Sequence, residues 1–382
     1  MLDRRRNHLW YRRLDDEIAR LGGMFNAHLH LDRAGTLDEV YMEASGHRIL
    51  ENSHVSLHQK HSLINDLHAG KAYQGDDFDS RVNAFVSDMV AVGTRRADTL
   101  VDVTEDGVGL MALRRLEAIK AARAGEIDIR IGAYSPFGFV DAEPGRWDLM
   151  ERGAEQADFL AALPEADDRD EYPTHIGFHE HCVRLIKLAR QHGKMLHVHV
   201  DQRNEPAEAG TERLLDAIRE TGGYPGDGTE PMIWAVHMIS PSTYDDVRFQ
   251  RLVDGLLAYN VGVITCPSAA IGMRMYRPLQ TPTYNSIPRI LELLAAGVQV
   301  RMGSDNIADI CSPSTTADLV DEVFVLSAAI RFYEPRILAK LATGLPLDAE
   351  ERAFIKDHLV KNEAAIHDFM NRRTKTPDRT PD

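Results

Sequence analysis

From about residue 80 onward the chain alternates, and that alternation restricts its fold more than any other feature. Apolar runs rich in β-forming residues stand at 99–104, 129–134, 175–180, 195–200, 232–237, 261–266 and 298–305. Amphipathic stretches near 81–93, 109–124, 181–192, 210–221, 242–260, 286–296 and 316–330 separate them. An earlier run beginning at Met24-Phe25 brings the strands to eight. Strands alternating with helices predict a parallel sheet, and eight such strands close on themselves as an α/β (β/α)8 TIM barrel.

The flanks read simply. Within a helical lead-in over 1–23, Leu9, Tyr11, Leu14, Ile18 and Leu21 recur near helical spacing, and Gly22-Gly23 stops the helix. Residues 335–371 read as further helix and 373–382 as a disordered polar tail. No repeat, linker or low-complexity segment divides the chain, so residues 1–372 are expected to form one domain. Residues 34–80 fit the pattern least. They carry His47, His54, His58, His61 and His68 among polar residues, and read either as a lid over a site or as solvated helices with incidental histidines.

Composition excludes some partners. The chain has 382 residues and a formal charge of -15, which disfavours nucleic acid and anionic membranes. The charged start, Met1 to Arg13, is followed by no apolar core, so it is not expected to be a signal peptide. No stretch is long and apolar enough to span a bilayer. Three widely spaced cysteines, Cys182, Cys266 and Cys311, outline no disulfide framework and no C-x-x-C zinc cluster. A cytoplasmic protein acting on a small molecule is expected, and a homo-oligomer is compatible with that.

In such barrels chemistry gathers at the C-terminal ends of the strands. The first strand runs into Asn26-Ala27-His28-Leu29-His30-Leu31-Asp32, where the i, i+2 spacing puts His28 and His30 on one face. The fifth ends in His197-Val198-His199, the sixth in His237, and the eighth leads through Gly303-Ser304 to Asp305. Imidazole and carboxylate converging on one rim suit Zn²⁺ or Fe²⁺. His197 reads either as a packing residue or as one that supports a ligand from behind.

H-x-H on strand one, His on five, His on six and Asp on eight resembles the amidohydrolase superfamily. Within it, the chain is similar to the cytosine deaminase-like branch of metal-dependent hydrolases. The segments carrying the likeness are His28-Leu29-His30-Leu31-Asp32, Val101-Asp102-Val103-Thr104, the stretch from Cys266-Pro267-Ser268 to Arg274, and Gly303-Ser304-Asp305-Asn306. The resemblance covers roughly residues 24–330. There are three departures. The branch's deaminases carry H-x-x-E on strand five, and this chain has Gln202, whose amide cannot relay a proton near neutral pH. After strand three, where cytosine deaminase has a base-reading glutamine, this chain has Tyr134-Ser135-Pro136-Phe137-Gly138. Only 27 residues precede His28, so most of the usual flanking β-sandwich is expected to be missing.

The resemblance implies a ligand set and roles. Binuclear members bridge two ions with a carbamylated lysine at the end of strand four, and the run His175–Glu180 has none, so one divalent ion, Zn²⁺ or Fe²⁺, is expected. His28, His30, His199 and Asp305 are its implied ligands. Asp305 would also take and return a proton, and His237 would orient water or stabilise oxyanion charge. Gln202, Arg33, Phe137, Trp147 and Asn306 are candidates for the substrate pocket. The expected activity is hydrolysis of a C–N bond in an amide, lactam or amino-substituted heterocycle by a metal-activated water. The alternatives are a cytosine deaminase-like aminohydrolase releasing ammonia and a ligand-binding protein weakened in catalysis by Gln202.

Overall fold

The computed structural model describes residues 7–42, 50, 63–224, 229–273 and 286–374. Eight strands form one parallel sheet in sequential order: β1 (Met24–Leu29), β2 (Thr94–Asp102), β3 (Asp128–Tyr134), β4 (Phe159–Ala162), β5 (Leu196–Val200), β6 (Ile233–His237), β7 (Val261–Thr265) and β8 (Val300–Met302). The sheet closes where Leu29 bridges Asp305: the Asp305 amide donates to the His28 carbonyl at 2.9 Å, and the His30 amide to the Asp305 carbonyl at 3.2 Å. The barrel read from the alternation is therefore present, and among the described residues no strand lies outside it.

Two apolar layers hold the fold. Phe25, Leu100, Phe159, Trp234, Val236 and Ile264 fill the barrel interior. A larger layer lies between sheet and helices, where alternate strand residues such as Leu196, Val198 and Val200 meet Cys182, Leu185 and Ile186. This is the packing expected of a strand buried on both faces.

The fourth strand is not where the sequence suggested. His175–Ile176 lies in a loop, Gly177 takes a left-handed φ of 96°, and Phe178 begins the helix Phe178–Gln191. The strand is Phe159-Leu160-Ala161-Ala162, paired with β3 and β5. Four residues, two of them alanine, give too little β signal to outweigh the more β-like 175–180. The helix before it, Gly145–Gln156, was also missed, since Gly145 and Gly153 weaken its helical signal. Gly153 is there for contact: a Cβ on it would sit 3.3 Å from Ala133 Cβ on β3. The relocated strand also lacks lysine.

The lead-in helix is Leu9–Arg20, burying Leu14 and Ile18. The last helix, Ala349–Thr374, runs slightly past the expected boundary. His47, His54, His58, His61, Arg274 and the tail from 375 lie outside the described residues.

Candidate metal centre

β1 places two histidines in the barrel mouth by an irregularity. Its register against β2 shifts between Asn26 and Leu29. Before the shift, Phe25 and Ala27 face the interior; after it, Leu29 packs outward and His28 and His30 face in. A bulge of this kind re-aims side chains at a barrel rim. His28 has no room to spare on the β8 side: a Cβ on Gly303 would lie 2.5 Å from the His28 carbonyl oxygen and 2.8 Å from its Cβ.

The other residues arrive from β5, β6 and β8. On β5, His197 and His199 point inward by simple alternation. On β6, where Trp234 and Val236 face inward, alternation would send His237 outward, and the backbone corrects it; after β8, where Val300 and Met302 pack outward, alternation itself brings Asp305 in. His237 and Asp305 adopt left-handed φ values of 75° and 61°. Such conformations in non-glycine residues are disfavoured and concentrate at functional sites.

The result is a compact donor set. One ring nitrogen from each of His28, His30 and His199 lies within 4.8 Å of the others. Asp305 Oδ1 stands 3.4 Å from His30 Nε2 and 3.8 Å from His28 Nε2. His237 Nε2 faces the other oxygen, Oδ2, at 4.0 Å. All five residues are buried.

These residues fit a divalent ion. His28 Nε2 is fully buried and has no hydrogen-bond partner among the described residues. An imidazole nitrogen left bare in the interior is costly unless something else fills its lone pair. Burial, helped by neighbouring histidines, holds the His28 pKa well below its usual value. Burial likewise lowers His237 to about 4, against the opposing pull of Asp305. Both rings are therefore neutral near pH 7, as metal ligation and hydrogen bonding require. The orienting contacts are present too: His199 Nδ1 lies 2.9 Å from the Ala162 carbonyl, and His28 Nδ1 3.2 Å from His197 Nδ1. Contacts of this kind fix ring orientation in metal sites. His197, read as packing or as support behind a ligand, is thus a direct partner of His28.

A buried ionic network backs the β1 side. Arg33 is 3% exposed, with Nη2 2.7 Å from His30 Nδ1 and Nη1 3.7 Å from Asp102. Asp102 in turn meets His68 Nε2 at 3.0 Å, and His68 Nδ1 meets Asp106 at 2.6 Å. Asp32 accepts from Tyr73 and from the Asp102 amide. Burial works against a charged His68, but its bonds to Asp102 and Asp106 prevail and raise its pKa to about 9. His68 is thus neither solvated nor incidental; it fastens the segment after β1 onto the end of β2.

The remaining candidates sit at different distances from this centre. Gln202 is buried and donates from Nε2 to Glu165 Oε2 at 2.9 Å. Asn306 follows Asp305 and is buried, with its Oδ1 unpartnered among the described residues. Phe137 packs against His68, with centroids 5.9 Å apart. Trp147 packs edge-on against Phe139 at 5.1 Å, on the helix side of the β3 end. Two residues escaped the sequence reading. Tyr134, the last residue of β3, has its ring 5.5 Å from His30 and 5.3 Å from His199, and the strand-end rule would have found it. Glu165 was hidden by the misplaced fourth strand.

Comparison with known proteins adds context. No family model matches the chain. An uncharacterized protein of Haemophilus influenzae is 29% identical over 282 residues, covering 73% of this chain and 93% of the relative. A pterin deaminase of Rhizobium rhizogenes is 26% identical over 148 residues, covering 39% of this chain and 32% of the relative. Among solved structures, 5-methylcytosine deaminase from Klebsiella pneumoniae liganded with phosphonocytosine superposes with a TM-score of 0.68 at 24% identity, covering 82% of this chain and 70% of that one. N-isopropylammelide isopropylaminohydrolase from Burkholderia multivorans gives 0.64 at 22% identity, covering 84% and 72%. In its fold, the chain is similar to the barrels of these two enzymes.

Proposed function

We propose that this protein is a mononuclear metal-dependent hydrolase that cleaves a C–N bond in an amide, a lactam or an amino-substituted heterocycle. One observation carries the reading: His28, His30 and His199 and the carboxyl group of Asp305 converge from β1, β5 and the end of β8 on one buried point. Three imidazoles and one carboxylate would hold Zn²⁺ or Fe²⁺. A divalent ion there supplies a water made acidic enough to act near neutral pH.

The chain's own groups complete the chemistry. Asp305 directs one oxygen at His28 and His30 and the other at His237, so it can take a proton from attacking water and return it to the departing nitrogen. His237, neutral and buried, can donate an N–H to oxygen that gains charge during attack. Arg33 holds His30 in place rather than opening onto solvent. Gln202 and Asn306 bind substrate from the β5 and β8 ends, with Phe137 and Trp147 behind the β3 end. The two relatives and neighbours named as deaminases favour an aminoheterocycle over a simple amide as the first class to test. The setting that fits is cytoplasmic and free of nucleic acid and membrane, as monomer or homo-oligomer. Among the described residues no disulfide joins the cysteines, and no helix is long and apolar enough to cross a membrane.

The test is a hydrolysis screen of zinc- and iron-loaded protein against amides, lactams, N-alkyl triazines and aminoheterocycles including cytosine and pterin. Ammonia and amine release are read separately. Turnover of one class, abolished in Asp305→Ala, is expected. Metal-loaded protein inert on every class overturns the reading and leaves a ligand-binding role.

A further inference from the structure

Gln202 occupies the position, three residues past His199, at which the resembling deaminases carry a proton-relaying glutamate. The structure shows what the amide is fastened to. Its Nε2 donates to Oε2 of Glu165 at 2.9 Å. Gln202 follows β5 and Glu165 follows β4, and these strands are neighbours, with Ala162 in register with Val198. The same two strand ends are joined by His199 Nδ1 at 2.9 Å from the Ala162 carbonyl. Pro164 starts a 3₁₀ turn, Pro164–Asp167, that carries Glu165 across toward β5. Its other oxygen, Oε1, is buried with no partner among the described residues, so the carboxyl is enclosed rather than offered to solvent.

A primary amide has a donor end and an acceptor end. With the nitrogen committed to Glu165, the carbonyl is the end left to face a substrate. Among the described residues no hydrogen bond reaches Gln202 Oε1, and the residue is 7% exposed. We propose that Glu165 is a positioning residue: it turns Gln202 carbonyl-outward, so that the substrate must present an N–H donor at this corner of the site. A lactam, amide or amino group that keeps an N–H meets that requirement, and a fully alkylated nitrogen or a bare carbonyl does not. Turning the amide over would set its carbonyl against a carboxylate oxygen. Burial, together with nearby Glu208 and Asp201, drives the Glu165 pKa well above the usual carboxylate range, with Arg203 opposing. Neutral or ionised, Oε2 can still accept from Nε2. Glu165 therefore supplies orientation to a residue that cannot itself relay a proton. The substrate half of this inference rests on the C–N hydrolase reading; the orientation half does not.

The test has two arms on the full, zinc-loaded chain. In the first, the side-chain amide of Gln202 is observed by nitrogen-15 NMR with glutamine labelling and assigned by its loss in Gln202→Glu. Its protons should exchange with water at least about tenfold more slowly than those of surface glutamines, roughly the worth of one net hydrogen bond. The protection should vanish in Glu165→Ala and survive in Glu165→Gln, whose carbonyl can also accept. Surface-like exchange in the unaltered protein, or protection that outlasts Glu165→Ala, overturns the orientation. In the second arm, cytosine, pterin and ammelide are each assayed beside ring-N-methyl and amino-N,N-dimethyl derivatives. For any that is hydrolysed, methylation of the recognised nitrogen should raise KM by about tenfold, with a much smaller penalty in Glu165→Ala. Equal KM for every methylated form overturns the donor requirement. If none is hydrolysed, it is the hydrolase reading that has failed for these classes, and the exchange data still decide the role of Glu165.

Discussion

The Nδ1 atoms of His28 and His197 lie 3.2 Å apart in the barrel interior, so one proton is shared between two rings. The burial of both, which lowers each pKa well below normal, leaves no second proton to place there. Set on His28 Nδ1, that proton frees His28 Nε2 as a lone-pair donor on the Asp305 side, which is the tautomer a metal ligand needs.

Metal content is the first consequence. Protein grown with zinc or iron should carry about one ion per chain by elemental analysis, and His28→Ala or His199→Ala should reduce this to a trace, since each removes one donor of a small closed set. Unaltered protein that is metal-free and yet active would contradict the assignment.

His237 faces Asp305 Oδ2 from outside the three-histidine group. His237→Asn should therefore retain the ion while kcat falls by roughly 10²–10³-fold, the scale for losing one donor to a developing oxyanion. Kinetics and metal analysis on the same preparation check this; wild-type turnover in the variant rules out the role.

Replacing Gln202 by glutamate is expected to harm rather than restore. The new carboxyl would stand 2.9 Å from Glu165 Oε2 with no amide hydrogen between them, unless one acid keeps its proton. We expect Gln202→Glu to lower stability by on the order of 1–3 kcal/mol and to bring no gain in ammonia release. Denaturant titration and an ammonia assay decide it, and a large rise in ammonia release at unchanged metal content would reverse the expectation.

The ion cluster at His68 makes stability depend on alkaline pH. Its folded pKa of about 9 lies above the ordinary 6.5, so the unfolded chain loses this proton first. The stabilisation is complete below about pH 6.5 and is lost as pH rises toward 9, on the order of 3 kcal/mol in all. Urea midpoints should fall across that window, and His68→Gln should flatten the slope. An unchanged slope in the variant would remove His68 from the account.

The strands that were legible in the sequence were those with a hydrophobic face long enough to repeat. β5 to β7 were found almost to the residue because five buried positions in a row leave an apolar run. β4 was lost because Phe159–Ala162 is short and half alanine. The clustering of His28, His30 and His199 was legible because they sit at strand ends, where motif and topology coincide. What the sequence could not show was direction: His237 turns inward through left-handed backbone and His28 through a bulge, neither of which has a residue-type signature here. His68 and Glu165 depend on partners far along the chain, Asp102 and Gln202, and so could not be valued from their own neighbourhoods.

The seam that closes the barrel has a consequence for how the protein is made. Asn26 and Ser304 exchange two hydrogen bonds across a sequence separation of 278 residues, and the next residue, Asp305, bridges Leu29. A nascent chain leaves the ribosome N-terminus first, so His28 and His30 are in solution long before Asp305 has been synthesised. The complete donor set can exist only after β8 has emerged and the sheet has shut. On the proposed reading, ring closure and cofactor capture are therefore one late event, and a ribosome-stalled chain ending before residue 300 should show strand-rich intermediates with no capacity to retain the ion.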